Sequence, residues 1–393
     1  FAELAPTAAL EQLTLSYQPI LLRWQAPVEH AYAGSDLPAM VHVLNQSATG
    51  EAIENVNLVC VLHDARGRPV TGGKIEIRAI AHGQRGRAPF AIDLPDSLAS
   101  GTYFLEARLF KEDEELARNR VNLFIAERTW SQAPRPGTPV ATLRSSGKAA
   151  RHLRQLGYRV DALDQPGDTG NRTLVVDGRT DVDGPALRAW IESGGRALIL
   201  HPTGALMQAM KVPLAPAAQP RGCAVHRSLA DDPIWRGLTA PTLLTFNPDG
   251  DGGVEPVAAG LQVTDISANL PVVVRARYGL LGEHAAVADL ALGKGRVVFC
   301  GLDLLDRAGA EPLADRLLTN MVEALATRQT NIVPAMDRPI DWGDEASERP
   351  FLVGAANGLS RAFDGAGRQV IGPHRHDEQG RAIDQTPAKD IAE

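Results

Sequence analysis

Two hydrophobic periodicities divide the chain. Between Leu37 and Ile125 apolar and polar residues alternate in short runs: Leu37 to Leu44, Val56 to Leu62, Lys74 to Ile80, Pro89 to Leu94, Tyr103 to Phe110 and Arg118 to Ile125. Turn signals such as Asn45-Gln46-Ser47, Asp64-Ala65-Arg66-Gly67 and Ser100-Gly101 bound them. A period of two marks a strand with one buried face, and many such strands at short spacing predict antiparallel sheets packed as a sandwich. Leu58, Cys60 and Leu62 should point inward from one strand, and Leu105, Ala107 and Leu109 from another.

From about residue 138 the pattern becomes short continuous apolar runs separated by helical spacing. Val140 to Leu143, Tyr158 to Leu163, Thr173 to Asp177, Arg196 to His201 and the run RVVFCGLD read as strands covered on both faces. Lys148 to Leu156 ends at Gly157, and Gly184 to Ser193 ends at Gly194-Gly195, as helices stop at glycine. A closing helix carries Leu313, Leu317, Leu318, Met321, Val322 and Leu325 on one face, with Asp315, Arg316 and Glu323 on the other. Strand and helix in alternation predict an open parallel sheet with helices on both faces. The expected organisation is a multidomain β plus α/β chain. An immunoglobulin-like β-sandwich spans 15–128, a linker 129–138, a flavodoxin-like α/β domain 139–328 and an extended tail 329–393.

The 393 residues, 44% hydrophobic and 22% charged, suffice for two cores. A net charge of −7 with both signs interspersed suggests neither a nucleic-acid nor an anionic-membrane partner. No apolar run reaches the roughly 18 residues that span a bilayer. Three cysteines, Cys60, Cys223 and Cys300, are too scattered for a disulfide framework or a zinc site, and Cys60 and Cys300 fall on core strands as small buried hydrophobes. The chain opens at Phe1, and FAELAPTAALEQL has the look of the last turns of a helix belonging to a preceding domain. A fragment of a longer polypeptide is therefore expected, so the lack of a targeting segment says nothing about location.

An open α/β sheet binds ligands beyond the carboxyl ends of its strands, which here hold Asp177, His201 and Asp303. Hydrolases and amidotransferases of this architecture carry a nucleophile on a tight turn after a strand. The matching stretch reads LILHPTGAL, with His201 and Pro202 where Cys or Ser would stand and Thr203 one step too far. Cys223 with His226 lies in a loop-like stretch, a poor setting for a nucleophile. Asp231 and Asp232 before Pro233 suit a turn, and NPDGDGG, with Asp249 and Asp251, lacks the ligand spacing of a calcium loop. Glu283 beside His284 is a further carboxylate candidate, and His374 with His376 lacks an evident third metal ligand. Gly293-Lys294-Gly295 precedes a strand, whereas a phosphate loop follows one, so it reads as a turn. Trp24, Trp190 and Trp235 are the residues that could stack on a sugar, with core packing the competing role for each.

The order of modules is familiar. YQPILLRW followed by LPDSLASGTYFLEARLF resembles the junction in glycoside hydrolases of the family 2 type, where an immunoglobulin-like domain follows a catalytic barrel. TLVVDGRTDVDGPALRAWIESGGRALILHP, ADDPIWRGL and GKGRVVFCGLDLL resemble the glutamine-amidotransferase-like domains attached to such enzymes and to family 42 β-galactosidases. The resemblance covers roughly residues 1–328 and would make 1–14 the end of the barrel. It implies a non-catalytic C-terminal part of an enzyme that hydrolyses O-glycosidic bonds in a poly- or oligosaccharide, β-galactosidase- or β-glucuronidase-like, with its catalytic glutamates outside this chain. No cofactor or metal is implied. The implied partners are the catalytic barrel as domain or chain, the carbohydrate and a second copy of the chain, and a periplasmic or secreted setting would suit such a bacterial enzyme. Two other functions compete: a free-standing α/β enzyme of the amidotransferase-like or trehalose-utilisation type, and a carbohydrate-binding or oligomerisation module. A cluster around Asp177, His201 and Asp303 facing an open pocket would favour the former, and a flat apolar surface there the latter.

Overall fold

The computed structural model describes residues 17–25, 29–135, 137–170, 172–222, 224–228, 232–238, 243–247, 255–264, 272–279 and 282–326, with the backbone of two short strands further on. The chain is mostly β. Strands β1 (Ile20–Trp24), β2 (His30–Tyr32), β3 (Asp36–Asn45), β4 (Ile53–His63), β5 (Pro69–Ile80), β6 (Arg85–Asp93), β7 (Gly101–Lys111) and β8 (Glu114–Ala126) form two facing sheets, ordered β1-β3-β6 and β2-β8-β7-β4-β5. Leu58, Cys60 and Leu62 pair across the ladder with Leu109, Ala107 and Leu105, and all six are buried in the core between the sheets. The alternation thus chose the inward faces correctly. Shifting one strand by a single residue would turn its apolar set outward.

The second domain contains β9 (Pro139–Leu143), α1 (Gly147–Gln155), β10 (Arg159–Leu163), β11 (Thr173–Asp177), α2 (Gly184–Glu192), β12 (Arg196–Leu200), α3 (Gly204–Ala209) and β13 (Leu214–Pro216). After these come β14 (Val225–Arg227), β15 (Leu243–Leu244), β16 (Leu261–Val263), β17 (Val272–Tyr278), β18 (His284–Leu292), β19 (Gly295–Cys300) and α4 (Pro312–Ala326). Short strands β20 (Arg361–Phe363) and β21 (Gln369–Ile371) pair with each other. The main sheet runs β10-β9-β11-β12-β19-β18-β17-β14-β15. It is parallel from β10 to β19 and antiparallel beyond.

The antiparallel half corrects the expectation of a wholly parallel sheet. Gly293-Lys294 is a two-residue hairpin turn joining β18 to β19, with Gly293 at φ +57°. A glycine with positive φ in first position lets such a turn follow the twist of its strands. The run read as one last parallel strand is therefore also the return arm of a hairpin. Leucines and alanines of α1 and α4 cover one face of the sheet, and Leu187 and Ile191 of α2 with Leu206 and Met207 of α3 cover the other. On α2, the Asp183 side chain accepts a hydrogen bond from Ala186 N–H at 2.9 Å, and Pro185 occupies the first turn. Arg196 caps the other end of α4 by donating to the carbonyls of Leu325 and Ala326 at 3.1 and 2.8 Å. No described helix is long and apolar enough to cross a membrane.

The two domains are joined through buried polar groups. Tyr32 on β2 donates to Asp315 Oδ2 of α4 at 2.6 Å, and its hydroxyl lies 2.7 Å from Ser131 Oγ. Asp315 Oδ1 lies 2.9 Å from His152 Nε2 and accepts from Gly309 N–H at 3.1 Å. Thr319 donates to the Ser131 carbonyl at 2.7 Å. The Asn247 carboxamide imitates a neighbouring strand: its oxygen accepts from His30 N–H at 3.0 Å and its nitrogen donates to His30 C=O at 2.6 Å. Satisfying these groups fixes one relative placement, because any shift would leave them buried and unpaired.

Candidate functional site

The parallel register brings three strand ends together. Asp177 pairs in register with Leu200, and Leu200 with Cys300, so Asp177, His201 and Asp303 all emerge at one edge. His201 carries φ +47°, a left-handed backbone that a non-glycine residue adopts at a cost. Its N–H donates to Cys300 C=O at 2.9 Å. Gly178 admits the tight turn, since a Cβ there would stand 2.8 Å from the His201 carbonyl oxygen. The backbone thus makes a sharp strand-to-helix elbow into α3, with a histidine at its apex.

A chain of ion pairs surrounds the elbow. His201 Nε2 lies 3.3 Å from Asp303 Oδ1, and Asp303 Oδ2 lies 3.5 Å from Arg307 Nε. Arg179 grips Asp177 with two parallel bonds of 3.0 Å, from Nε to Oδ1 and from Nη2 to Oδ2. Its Nη1 reaches Asp306 Oδ2 at 2.8 Å, and Lys148 of α1 donates to Asp306 Oδ1. Partial burial pushes the Asp306 carboxyl up, but hydrogen bonds from Lys148 and Arg179 outweigh it and hold the group well below the usual carboxylate range. Hydrogen bonds to Asp177 push Arg179 above its ordinary value against the burial that opposes them. Ser146, at the N-cap of α1, accepts from Asp177 N–H at 3.0 Å and locks that strand end to the helix.

Of the residues singled out in the sequence, His201 and Asp303 touch directly. Asp177 joins them through Arg179, Asp306 and Lys148, which the sequence reading missed. Arg179 stood two residues beyond Asp177 in VVDGRTD, and a cation so close behind a strand-end carboxylate was the available signal. Side-chain atoms of His201, Asp303 and Asp306 lie within 4.8 Å of one another, the spacing of a cation site. The fit is nevertheless poor. Lys148 and Arg179 occupy both Asp306 oxygens, Arg307 faces Asp303, and Asp177 is neutralised by Arg179. Inserting a divalent ion among these cations would leave positive charge uncompensated.

His201 is only 3% exposed, and its Nδ1 has no hydrogen-bond partner among the described residues. Nδ1 is thus shielded from solvent, and Nε2 is engaged with Asp303. Trp24 points into the sandwich core, 6% exposed. Trp235, 4% exposed, packs in the core of the second domain with the Arg227 guanidinium 5.6 Å above its ring. Neither indole offers an open face to a sugar as placed. Trp190 packs partly buried over Gly195, where a Cβ would come within 2.6 Å of its ring. Asp232 accepts from Ile234 N–H at 3.0 Å and pairs with Arg275, the turn role expected of it. Cys60 and Cys300 are free and buried, and burial pushes each thiol up to about 12. His226 is buried, and His284 stacks at a tilt on Tyr278. Cys223, Asp231, Asp249, Asp251, His374 and His376 lie outside the described residues.

No protein-family model matches the chain, and no curated protein does. Among solved structures, a β-glucuronidase from glycoside hydrolase family 2 is 13% identical, with a TM-score of 0.22 over 47% of this chain and 20% of that one. A β-glucosidase from Listeria innocua in complex with glucose is 16% identical, TM-score 0.22, over 28% of this chain and 16% of that one. The CARDB domain of a Pyrococcus furiosus protein in complex with di-metal ions is 11% identical, TM-score 0.22, over 27% of this chain and 87% of that domain. The chain spans a fifth or less of either glycosidase, and likenesses this slight fix no function.

Proposed function

We propose that this chain is the non-catalytic C-terminal part of a glycoside hydrolase: an immunoglobulin-like sandwich followed by a retired amidotransferase-like domain, supporting the barrel, the substrate cleft or a subunit contact. Numbered within the domain, its parallel strands follow the order 2-1-3-4-5 of flavodoxin-like folds. The observation that carries the reading is the elbow after the fourth of these strands. It keeps the left-handed backbone suited to a nucleophile and carries His201 instead, buried and hydrogen-bonded to Asp303. The surrounding charges are spent on one another, which suits assembly better than turnover. The polar weld between the domains supports a rigid spacer, as an accessory half would require. Its partners would be the catalytic barrel, as domain or chain, a poly- or oligosaccharide, and a second copy of itself, in a periplasmic or secreted setting.

Among the described residues the His201–Asp303 pair favours a free-standing α/β enzyme, and one experiment decides between the two readings. Glycosidase activity on a panel of aryl glycosides and polysaccharides is measured for this chain and for a longer preparation in which a catalytic barrel of the family 2 type is joined ahead of it. Activity confined to the longer preparation is expected. Turnover by the 393-residue chain, abolished by His201→Gln, would overturn the accessory role.

A further inference from the structure

The three-stranded sheet β1-β3-β6 turns its second face away from the core. Register places Leu21, Leu44 and Arg85 in one row across that face, and Arg23, His42 and Arg87 in the next. Leu21, Leu44 and Met40 are half-buried there, while Arg23, Arg85 and Arg87 are exposed. Among the described residues none of these three arginines has an ion-pair or hydrogen-bond partner, in a chain whose net charge is −7. The carboxylates of the same face, Asp36 and Asp93, oppose each other at its far end.

His42 sits in the middle of the arginine row yet is only 6% exposed. Its Nε2 is 2.6 Å from the Gln25 side-chain oxygen, which can only accept, so Nε2 carries the proton. Burial, reinforced by the positive charge of Arg85, Arg87 and Arg23, holds the imidazole below its ordinary range and hence neutral at neutral pH. Nδ1 is then a bare acceptor, and it has no partner among the described residues. A buried acceptor without a donor is costly, and three uncompensated guanidinium groups around it repel one another. What would satisfy the whole set is a ligand that supplies hydroxyl donors and carboxylate acceptors together. The arginines span about 10 Å across two strand spacings and about 7 Å along β6, so they suit several carboxylates on one chain. The long arginine side chains beside His42 in the register are flexible, so a ligand that draws them onto its carboxylates can approach the imidazole, and the half-buried Leu21, Leu44 and Met40 give an apolar floor on which a sugar ring can rest.

We infer that the outer face of β1-β3-β6 binds an acidic oligosaccharide, a chain of uronate type, with Arg23, Arg85 and Arg87 on its carboxylates and His42 Nδ1 accepting from a ring hydroxyl. Calling the ligand a saccharide deepens the glycosidase reading and rests on it, whereas the anion site stands on its own geometry. The test is calorimetric titration of the full 393-residue chain with three probes. Oligogalacturonate carries both groups, its methyl ester keeps hydroxyls but no charge, and polyglutamate has carboxylates without hydroxyls. Oligogalacturonate is expected to bind, and each of the other two at least tenfold more weakly. Arg23→Gln with Arg87→Gln should weaken oligogalacturonate tenfold or more while leaving the melting temperature unchanged, since both side chains are exposed. Equal binding of polyglutamate would make the face a dock for acidic protein, and absence of oligogalacturonate binding, or full binding by the double variant, would equally overturn the inference. None of these readouts involves turnover, so a failed saccharide site leaves the accessory role open, and binding without activity in the longer preparation would count against that role alone.

Discussion

Tyr32→Phe removes one oxygen from the weld between the domains and nothing else. The phenol is 3% exposed and donates to Asp315 Oδ2 at 2.6 Å, while Asp315 keeps His152 and Gly309 on its other oxygen. Phenylalanine fills the same volume, so the cost is the hydrogen bond to a buried carboxylate, about 1.5–3 kcal/mol, together with the weaker contact of the hydroxyl with Ser131 Oγ at 2.7 Å. Asp315→Asn weakens the charge-assisted bond from Tyr32 and disturbs the contacts with His152 and Gly309 N–H at once, and should cost more, about 3 kcal/mol or above. Because the two side chains share one bond, the double variant should fall short of the sum by about 1 kcal/mol or more. Urea denaturation of the four proteins of this cycle measures all three quantities. The pH dependence gives an independent sign. Burial and the Asp315 carboxylate push the Tyr32 phenol above its ordinary range. Its contribution is therefore fully present below the unfolded value of about 10, and is lost as pH rises from there through the folded value. Tyr32→Phe should make the alkaline decline shallower. A loss under about 0.5 kcal/mol, additive single variants and an unchanged alkaline limb would together refute the idea that this bond ties the domains.

Two further outcomes follow from the geometry. At Gly295 a Cβ would stand 1.9 Å from the Ile191 carbonyl oxygen and 2.3 Å from that of Gly195, with only backbone to give way; Gly295→Ala should cost about 3 kcal/mol or more, seen as a lowered urea midpoint, and a midpoint within error of the parent would contradict the packing of β19 against α2. Lys148→Gln removes one of the two donors that keep Asp306 ionised, so the carboxyl should titrate at higher pH by carbon NMR. Since a depressed carboxylate stabilises above its unfolded value and loses that contribution as pH falls through the folded one, the variant should also lose less stability on acidification than the parent.

Much of the architecture was legible in the order of residues because burial imposes periodicity. The alternation of Leu58, Cys60 and Leu62 and of Leu105, Ala107 and Leu109 announced the sandwich faces, and Thr173 to Asp177 ended where the strand ends. The strand ends in turn named Asp177, His201 and Asp303 as neighbours, since parallel pairing brings carboxyl ends to one edge. What the sequence left open depends on partners remote along the chain. Nothing local marked β18 as the antiparallel companion of β19, because a strand buried on both faces is apolar whichever way its neighbour runs. Nor could spacing show that Lys148 and Arg179 would close upon Asp306, 158 and 127 residues away. Trp24, Trp190 and Trp235 carried the same ambiguity, because a large aromatic ring serves a core as readily as a ligand and only its surroundings distinguish the two. The periodicity of a chain states which residues must leave water; which charges then meet, and whether they remain free for chemistry, is decided only when the folded backbone brings distant segments together.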